Sequence, residues 1–141
     1  MRLDEIQAEI AQDSNVDNNK LDTESLKIPL LHSKYYNIFL AELRILKGVE
    51  SEYRRMKLER HKYYLGQASD EVYKEEPLQL KVLRQDLELY LDADPKLSDL
   101  KNKYEVQKMK TEMLEAFIKT LNTRNFLIKN ALEFLRFKNG G

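Results

Sequence analysis

Basic and tyrosine side chains are interleaved between residues 53 and 66. Residues 53–64 carry five basic side chains and one acidic side chain, Glu59. Basic side chains neutralise phosphates, and tyrosine rings can stack on unpaired bases. Because stacking does not distinguish one base from another, this segment predicts binding of single-stranded nucleic acid of any sequence. The candidate contact residues are Arg54, Lys57, Arg60, His61, Lys62, Tyr63 and Tyr64.

The spacing within this segment predicts which side chains face the nucleic acid. Arg54, Lys57 and Arg60 are three residues apart, so a helix would place them on one stripe. We therefore expect Arg60 to be exposed, with Lys62 on the other side of the helix. The alternative interpretation is a solvated helix face whose tyrosines belong to the hydrophobic core.

Composition narrows the possible classes of function. The chain has 141 residues with 24 basic and 24 acidic side chains, so we expect one domain without a net charge to select a partner. Cysteine is absent, and the two histidines, His32 and His61, lack the spacing of an H-E-x-x-H metal motif. The glycines form no phosphate-binding loop. We expect no catalytic residue, metal or cofactor, which makes an enzyme the least favoured class.

The N-terminal residues and the hydropathy pattern bear on localisation. Residues 1–5 are acidic where a signal peptide needs an apolar run. The sequence contains no run of about 18 apolar residues, the length that a membrane span requires. We therefore expect a soluble intracellular protein that does not span a membrane.

The elements that position the basic segment are helical, and the longest is predicted at residues 94–138. Asp94 can cap its start, Pro95 suits the first helical position, and Asn139 and Gly140 suit its end. About 44 residues of helix are ~66 Å long. Residues three and four apart form a heptad-like seam, so this helix must pack on another long helix or on copies of itself. The seam is Leu97, Leu100, Tyr104, Gln107, Thr111, Leu114, Ile118, Leu121, Asn125, Ile128, Leu132 and Leu135.

Residues 126–138, the end of the long helix, are apolar on more than one face. Leu127, Ala131 and Phe134 add a second stripe beside the seam, which predicts assembly into an oligomer of more than two chains. The alternatives are packing against residues 30–65 of the same chain and binding to a membrane surface. The predicted oligomerisation residues are Leu114, Ile118, Leu121, Ile128, Leu132 and Leu135.

Three polar residues interrupt the seam, namely Gln107, Thr111 and Asn125. Polar side chains buried in a coiled coil fix its register and number of strands at some cost in stability. The alternative is that this part of the seam is simply exposed to solvent.

The remaining pattern completes an all-α prediction of extended helices with coiled-coil-like packing. Alternating apolar and polar residues, which would indicate a strand, are absent. The predicted elements are a short helix at residues 2–11, a loop at 12–20, a helix from about 30 to 65, a polar loop at 66–78 and a short helix at about 79–91. Pro29 lies in the first turn of the second helix or kinks it. Residues 70–94 have a net charge of −5, from eight acids and three bases, and on charge alone they are a candidate protein-contact surface.

The sequence resembles a known family, the UvsY-type recombination mediators of large tailed bacteriophages. The resemblance covers essentially the whole chain, and its most specific parts are the basic segment ending in Tyr-Tyr-x-Gly and the x-Arg-x-Phe-x-Ile-Lys element. The matching residues are Met1 to Gln7, Asp17, Lys20 and Leu21, Leu31 to Tyr35, Tyr63 to Gly66, and Arg124 to Asn130.

The resemblance implies a function and a set of partners. Such proteins bind single-stranded DNA, assemble as ring-like homo-oligomers that are heptameric in the family, and help load a RecA-like recombinase onto DNA coated by a single-strand-binding protein. They act in phage recombination, repair and replication, in the cytoplasm of the bacterial host. The family's DNA contact includes a Lys-x-Arg before the Tyr-Tyr; Arg60 matches the Arg, while Leu58 stands at the Lys position between Lys57 and Glu59.

Two hypotheses from different classes follow for the function. The first is a non-enzymatic mediator, in which an oligomer displays many copies of the basic segment and gains avidity from them. The second is a structural coiled-coil scaffold that does not bind DNA. Salt-sensitive binding of an oligothymidine would support the mediator, because phosphate contacts weaken as salt rises.

Overall fold

The computed structural model describes residues 1–140, and its regular elements are all helical. No strand occurs among these residues, so the prediction of an all-α fold is confirmed. The helices are α1 (Leu3–Asp13), α2 (Leu21–Tyr64), α3 (Asp70–Glu75), α4 (Leu87–Ala93) and α5 (Pro95–Lys138), and one turn of 3-10 helix at Arg84–Asp86 precedes α4.

Both ends of α5 follow from local capping chemistry. The Asp94 carboxylate accepts a hydrogen bond from the Leu97 backbone N–H at 3.0 Å, which satisfies one of the unpaired donors of the first turn. Pro95 is the first helical residue, where no N–H is needed. At the other end Gly140 takes a φ of 76°, and its N–H donates to the Phe137 carbonyl at 3.2 Å. The predicted bounds of this helix are confirmed.

The second long helix starts earlier than predicted. It begins at Leu21, with Asp22 and Glu24 in the first turn, rather than near residue 30. Pro29 therefore lies in the interior of α2, where its nitrogen cannot donate a helical hydrogen bond. The sequence prediction placed too much weight on this proline, because a helix of 44 residues has many other hydrogen bonds to support it.

Gly66 ends α2 as predicted. It has a φ of 75°, a left-handed conformation that favours glycine over any residue with a side chain. Its N–H donates to the Tyr63 carbonyl at 3.1 Å, and the Gln67 N–H donates to the Lys62 carbonyl at 2.8 Å. This pair of hydrogen bonds is the Schellman motif, which satisfies the last carbonyls of a helix.

Residues 66–93, between the two long helices, differ from the prediction in two places. The predicted loop at 66–78 contains α3, and the predicted helix at 79–91 is irregular up to residue 83. Helical structure resumes only with the 3-10 turn and α4. The leucine spacing suggested a longer helix, but Leu80 and Leu83 are exposed and bury no face that would support one.

The chain divides into two compact units, each with its own hydrophobic core. The first unit is Met1–Arg44 with Lys108–Gly141, and the second is Ile45–Gln107. The core of the first is formed by Ile6, Tyr35, Leu114, Phe117 and Leu121. The core of the second is formed by Leu87, Leu91 and Leu97, with Tyr53, Met56, Tyr64, Leu65 and Val82 packed against it.

The seam of α5 is mostly buried within the single chain, with two shifts from the predicted positions. In the first unit Phe117 and Arg124 are buried, while Ile118 is only partly buried and Asn125 is exposed. Of the two interpretations of the polar seam residues, exposure holds for Asn125, whereas Gln107 and Thr111 are buried. A straight α-helix has 3.6 residues per turn, so its inward face drifts away from a strict heptad.

Candidate nucleic-acid interface

One side of α2 near its C-terminal end presents exposed cations, which we call the cationic face: Arg54, Arg55, Lys57 and Lys62, with the half-buried His61. His61 and Lys62 come seven and eight residues after Arg54 in α2, which is about two helical turns, so the three side chains share one side. The predicted placement of Lys62 on the side opposite Arg54 is therefore wrong. Leu58, four residues from both Arg54 and Lys62, is exposed among them. The face thus combines several positive charges with one apolar side chain.

The cations of this face are largely unengaged. Arg54 pairs with Glu50 at 2.8 Å across one turn of the helix, in a setting open to solvent where such pairs add little stability. Arg55, Lys57 and Lys62 form no ion pair within residues 1–140. Their charges are therefore available to phosphates.

Arg60 differs from the rest of the basic segment, and its predicted exposure is wrong. Only 5% of this residue is exposed. Its Nε donates to Asp94 at 2.7 Å, and its Nη1 and Nη2 donate to the two carboxylate oxygens of Glu76, each at 3.0 Å. Although Arg54, Lys57 and Arg60 are three residues apart, Arg60 does not lie on the same side of the helix as Arg54. Six residues separate the two arginines, and at 3.6 residues per turn their side chains point about 120° apart.

The two predicted stacking residues are also engaged inside the second unit. Tyr63 is 4% exposed, and its ring stacks on the Tyr73 ring with a centroid separation of 5.4 Å. The Arg60 guanidinium carbon lies 4.2 Å from the centroid of the Tyr63 ring. Tyr64 is partly buried and donates a 2.6 Å hydrogen bond to the Asp94 carboxylate. These rings belong to the core of the unit, as the alternative interpretation of the segment held.

Electrostatics keep the carboxylates of this cluster ionised. The hydrogen bonds from Arg60 hold the pKa of the Glu76 carboxyl below its usual value. Burial alone would raise the pKa of Asp94, but the hydrogen bonds from Tyr64, the Leu97 amide and Arg60 together keep it below its usual value. The cluster is therefore one buried cation shared between two anions.

A cleft of about 620 Å³ borders this cluster. It lies within the second unit, and its wall brings together Arg60 and Glu76 with Lys62 of the cationic face. Lys96 also lines the cleft, and its Nζ lies 3.3 Å from Glu76 Oε2. Basic groups from α2 and from the start of α5 thus meet at one concave surface.

The first unit contains a second buried arginine, Arg124, which is 4% exposed. Its Nη2 donates to the backbone carbonyl of Asp13 at 2.8 Å, at the C-terminal end of α1, where cations are favoured. Its Nη1 is buried without a hydrogen-bond partner in residues 1–140. The Asp13 carboxylate instead accepts hydrogen bonds from Lys34 at 2.8 Å and Tyr35 at 2.7 Å.

The predicted oligomerisation residues separate into two groups. Leu114, Leu121 and Ile128 are buried within the chain, and Ile118 is partly buried against the same core. Leu132 and Leu135 are 43% and 37% exposed, and every residue from 132 to 140 is exposed. The apolar side chains left uncovered near this end are Phe126, Leu127, Leu132, Phe134, Leu135 and Phe137. Among residues 1–140, no helix is both long enough and apolar enough to cross a bilayer.

Sequence reasoning missed Arg55 and Leu58 on the cationic face and Glu76 as the partner of Arg60. Arg55 was visible as a basic neighbour but fell outside the assumed stripe. Glu76 carried no signal, because it is sixteen residues from Arg60 and comes from a segment taken for a solvated loop. Asp94 was found, but only as a helix cap.

These features define the class of all-α proteins built on two long helices, here with a cationic face on α2 and an apolar end of α5 that the rest of residues 1–140 does not cover. The chain belongs to the UvsY family, described as recombination, repair and single-stranded DNA binding proteins, which matches residues 9–141. Membership supports a general role in phage recombination and repair that includes binding single-stranded DNA. No curated protein matches the sequence.

Two solved structures share the fold of this chain. A crystal structure of the bacteriophage T4 recombination mediator protein UvsY (lattice type II) has a TM-score of 0.87 and 20% sequence identity, covering 100% of this chain and 99% of that chain. A second crystal form of the same protein (lattice type I) has a TM-score of 0.84 and 19% identity, covering 95% and 98%. At this level of identity the likeness shows the fold.

Proposed function

We propose that this protein is a recombination mediator that holds single-stranded DNA on the cationic face of α2 and helps load a RecA-like recombinase onto DNA coated by a single-strand-binding protein. The observation that carries the proposal is the set of exposed, unpaired cations Arg55, Lys57 and Lys62 on one helix. The reaction involves no bond making or breaking by the protein, so we infer no enzymatic activity. Its site of action is the cytoplasm of the bacterial host.

The contacts in this proposal are electrostatic. Arg54, Lys57 and Lys62 meet phosphates, and His61 lies between them on the same face. Tyr63 is occupied in the core, so base stacking is not the main source of affinity. Phosphate contacts carry no sequence information, and the binding is therefore independent of base identity.

Self-assembly supplies the avidity that such contacts require. The end of α5 exposes Leu132, Phe134, Leu135 and Phe137, which no other described part of the chain covers. A second exposed apolar set lies on α2, at Leu26, Leu30, Tyr36 and Leu40. We propose that these surfaces join copies of the chain into a ring-like homo-oligomer, with the heptameric number expected of the family. A ring would present one cationic face per subunit to the same strand.

The decisive comparison uses a labelled oligothymidine and a duplex of equal length, titrated at several salt concentrations. The proposal predicts tighter binding of the single strand, with an affinity that falls steeply as salt rises. Absence of binding at ~50 mM salt would favour the scaffold function. A strong preference for one duplex sequence would show that the ligand is wrong.

The assembly is tested separately by light scattering. Leu132→Asp and Leu135→Asp place charges on the uncovered end of α5 and should reduce the particle mass without loss of helicity. Leu121→Asp is the contrasting variant, because Leu121 is wholly buried and its replacement should unfold the chain itself. An unchanged mass in both exposed variants would exclude this end of α5 from the interface.

A further inference from the structure

Three N–H donors of the second unit converge on a single carboxylate. Arg60 Nη2 donates to Glu76 Oε1 at 3.0 Å, and Arg60 Nη1 donates to Glu76 Oε2 at 3.0 Å. Lys96 Nζ donates to the same Oε2 at 3.3 Å. A two-oxygen anion held by an arginine fork and a lysine has the geometry in which proteins also bind phosphate.

The two carboxylates on Arg60 are not equally replaceable. The Asp94 side chain is completely buried, caps α5 and accepts hydrogen bonds from Tyr64 and Leu97. The Glu76 side chain is 41% exposed and stands at the start of residues 76–83, which have no regular structure. Glu76 can therefore leave Arg60 at a small structural cost, whereas Asp94 cannot.

The surroundings give an incoming phosphate a route to this position. Arg60, Lys96 and Glu76 all line the cleft, and its volume of about 620 Å³ is larger than that of one phosphate group. Lys62 lines the same cleft and belongs to the cationic face. A strand held by Lys62 would therefore meet a cleft that the Glu76 carboxylate also lines.

Arg60 stands at the position of the family's DNA-contact arginine, and we propose that Lys96 completes a phosphate site with it, that the Glu76 carboxylate occupies this site in the free protein, and that a backbone phosphate of single-stranded DNA displaces Glu76. This inference rests on the proposed function, since it requires a strand on the cationic face. Displacement exchanges one bidentate anion for another, so Arg60 keeps two partners throughout. The intramolecular anion lowers the apparent affinity, because DNA must compete with it for the two cations.

The chain offers a matched pair of variants for the test. Glu76→Gln removes the charge of the competing side chain, and Glu75→Gln removes the same charge from a neighbour that also lines the cleft but has no ion pair among the described residues. If Glu76 holds the site about 90% of the time, Glu76→Gln should tighten oligothymidine binding roughly tenfold. The slope of log K against log salt should stay close to the parent's, because the bound strand contacts the same phosphate site in both proteins. Glu75→Gln should change the affinity less than about twofold.

A second pair keeps the inference testable if Glu76→Gln does not fold, as judged from its circular dichroism. Lys96→Ala removes a proposed phosphate contact and should flatten the salt slope of the parent by about 0.7 per subunit on DNA. Lys101→Ala removes an exposed cation elsewhere on α5 and should leave that slope unchanged. Equal effects of the two glutamine variants, or of the two alanine variants, would overturn the site. If the parent itself does not bind oligothymidine, it is the proposed function that fails.

Discussion

The two compact units each bury one arginine next to a tyrosine–aspartate hydrogen bond, and the two arginines have different partners. In the first unit Tyr35 donates to Asp13 at 2.7 Å, and Arg124 bonds only to the backbone carbonyl of that aspartate. In the second unit Tyr64 donates to Asp94 at 2.6 Å, and Arg60 bonds to the Asp94 and Glu76 carboxylates. The same residue types therefore produce one arginine with an unused donor and one with two anionic partners.

The difference shows what each cluster can do. A backbone carbonyl cannot be exchanged for a ligand, so Arg124 joins α1 to α5 and has a structural role. Glu76 is a partly exposed side chain on an irregular segment, so its bond to Arg60 can be exchanged for a bond to another anion. A buried arginine is thus a candidate binding group when one of its partners can leave.

The largest expected effect comes from removing the better-paired arginine. Arg60→Met leaves the buried Asp94 carboxylate and the Glu76 carboxylate without their cation, and breaking a buried pair in this way costs about 3–5 kcal/mol. Urea denaturation followed by circular dichroism at fixed protein concentration measures this loss. A loss below about 1 kcal/mol would mean that the cluster contributes little to the second unit.

The pH dependence of stability should be smaller and has a defined sign. The pKa values of Asp94, Glu76 and Asp13 all lie below their ordinary values in the folded chain. Their contribution is therefore complete above the ordinary carboxyl pKa of about 4 and is lost as the pH falls through the folded values. Urea midpoints between pH 7 and pH 3 should fall over that range. Arg60→Met should flatten the fall, because Asp94 and Glu76 lose the partner that lowers their pKa values.

The smallest effect is expected at the other arginine. Arg124→Met removes one hydrogen bond to Asp13 but also removes a buried donor that has no acceptor among residues 1–140. Apolar replacements of imperfectly paired buried cations are often neutral, so the free energy of unfolding should change by less than about 1 kcal/mol. A loss as large as that of Arg60→Met would erase the distinction between the two clusters.

Local sequence signals predicted both ends of α5 and the C-terminal end of α2, but they did not predict the start of α2 or the environments of several side chains. Asp94, Pro95 and Gly140 bound α5, and Gly66 ends α2, because capping depends on residues within a few positions of each other. The burial of Arg60 could not be predicted from spacing, since its partners lie 16 and 34 residues away.

The seam of α5 illustrates the same limit. Heptad spacing predicted that the helix would bury one side, and most of that side is buried. Heptad spacing did not predict that Arg124, rather than its neighbour Asn125, would be buried. Arg124 is buried where its side chain donates a hydrogen bond to the Asp13 carbonyl, which is 111 residues away in the sequence. Periodicity identifies an inward face, but the exact register depends on what packs against it.

The most direct test of the central claim is the salt dependence of oligothymidine binding by three alanine variants. Lys57→Ala and Lys62→Ala each remove an exposed, unpaired cation of α2, and Arg84→Ala removes an exposed cation outside the cationic face. We predict that the slope of log K against log salt flattens by about 0.7 for each of the first two in every subunit on the DNA. Arg84→Ala should keep the parent's slope. If Arg84→Ala flattens the slope while Lys57→Ala and Lys62→Ala leave it unchanged, single-stranded DNA does not bind the cationic face of α2.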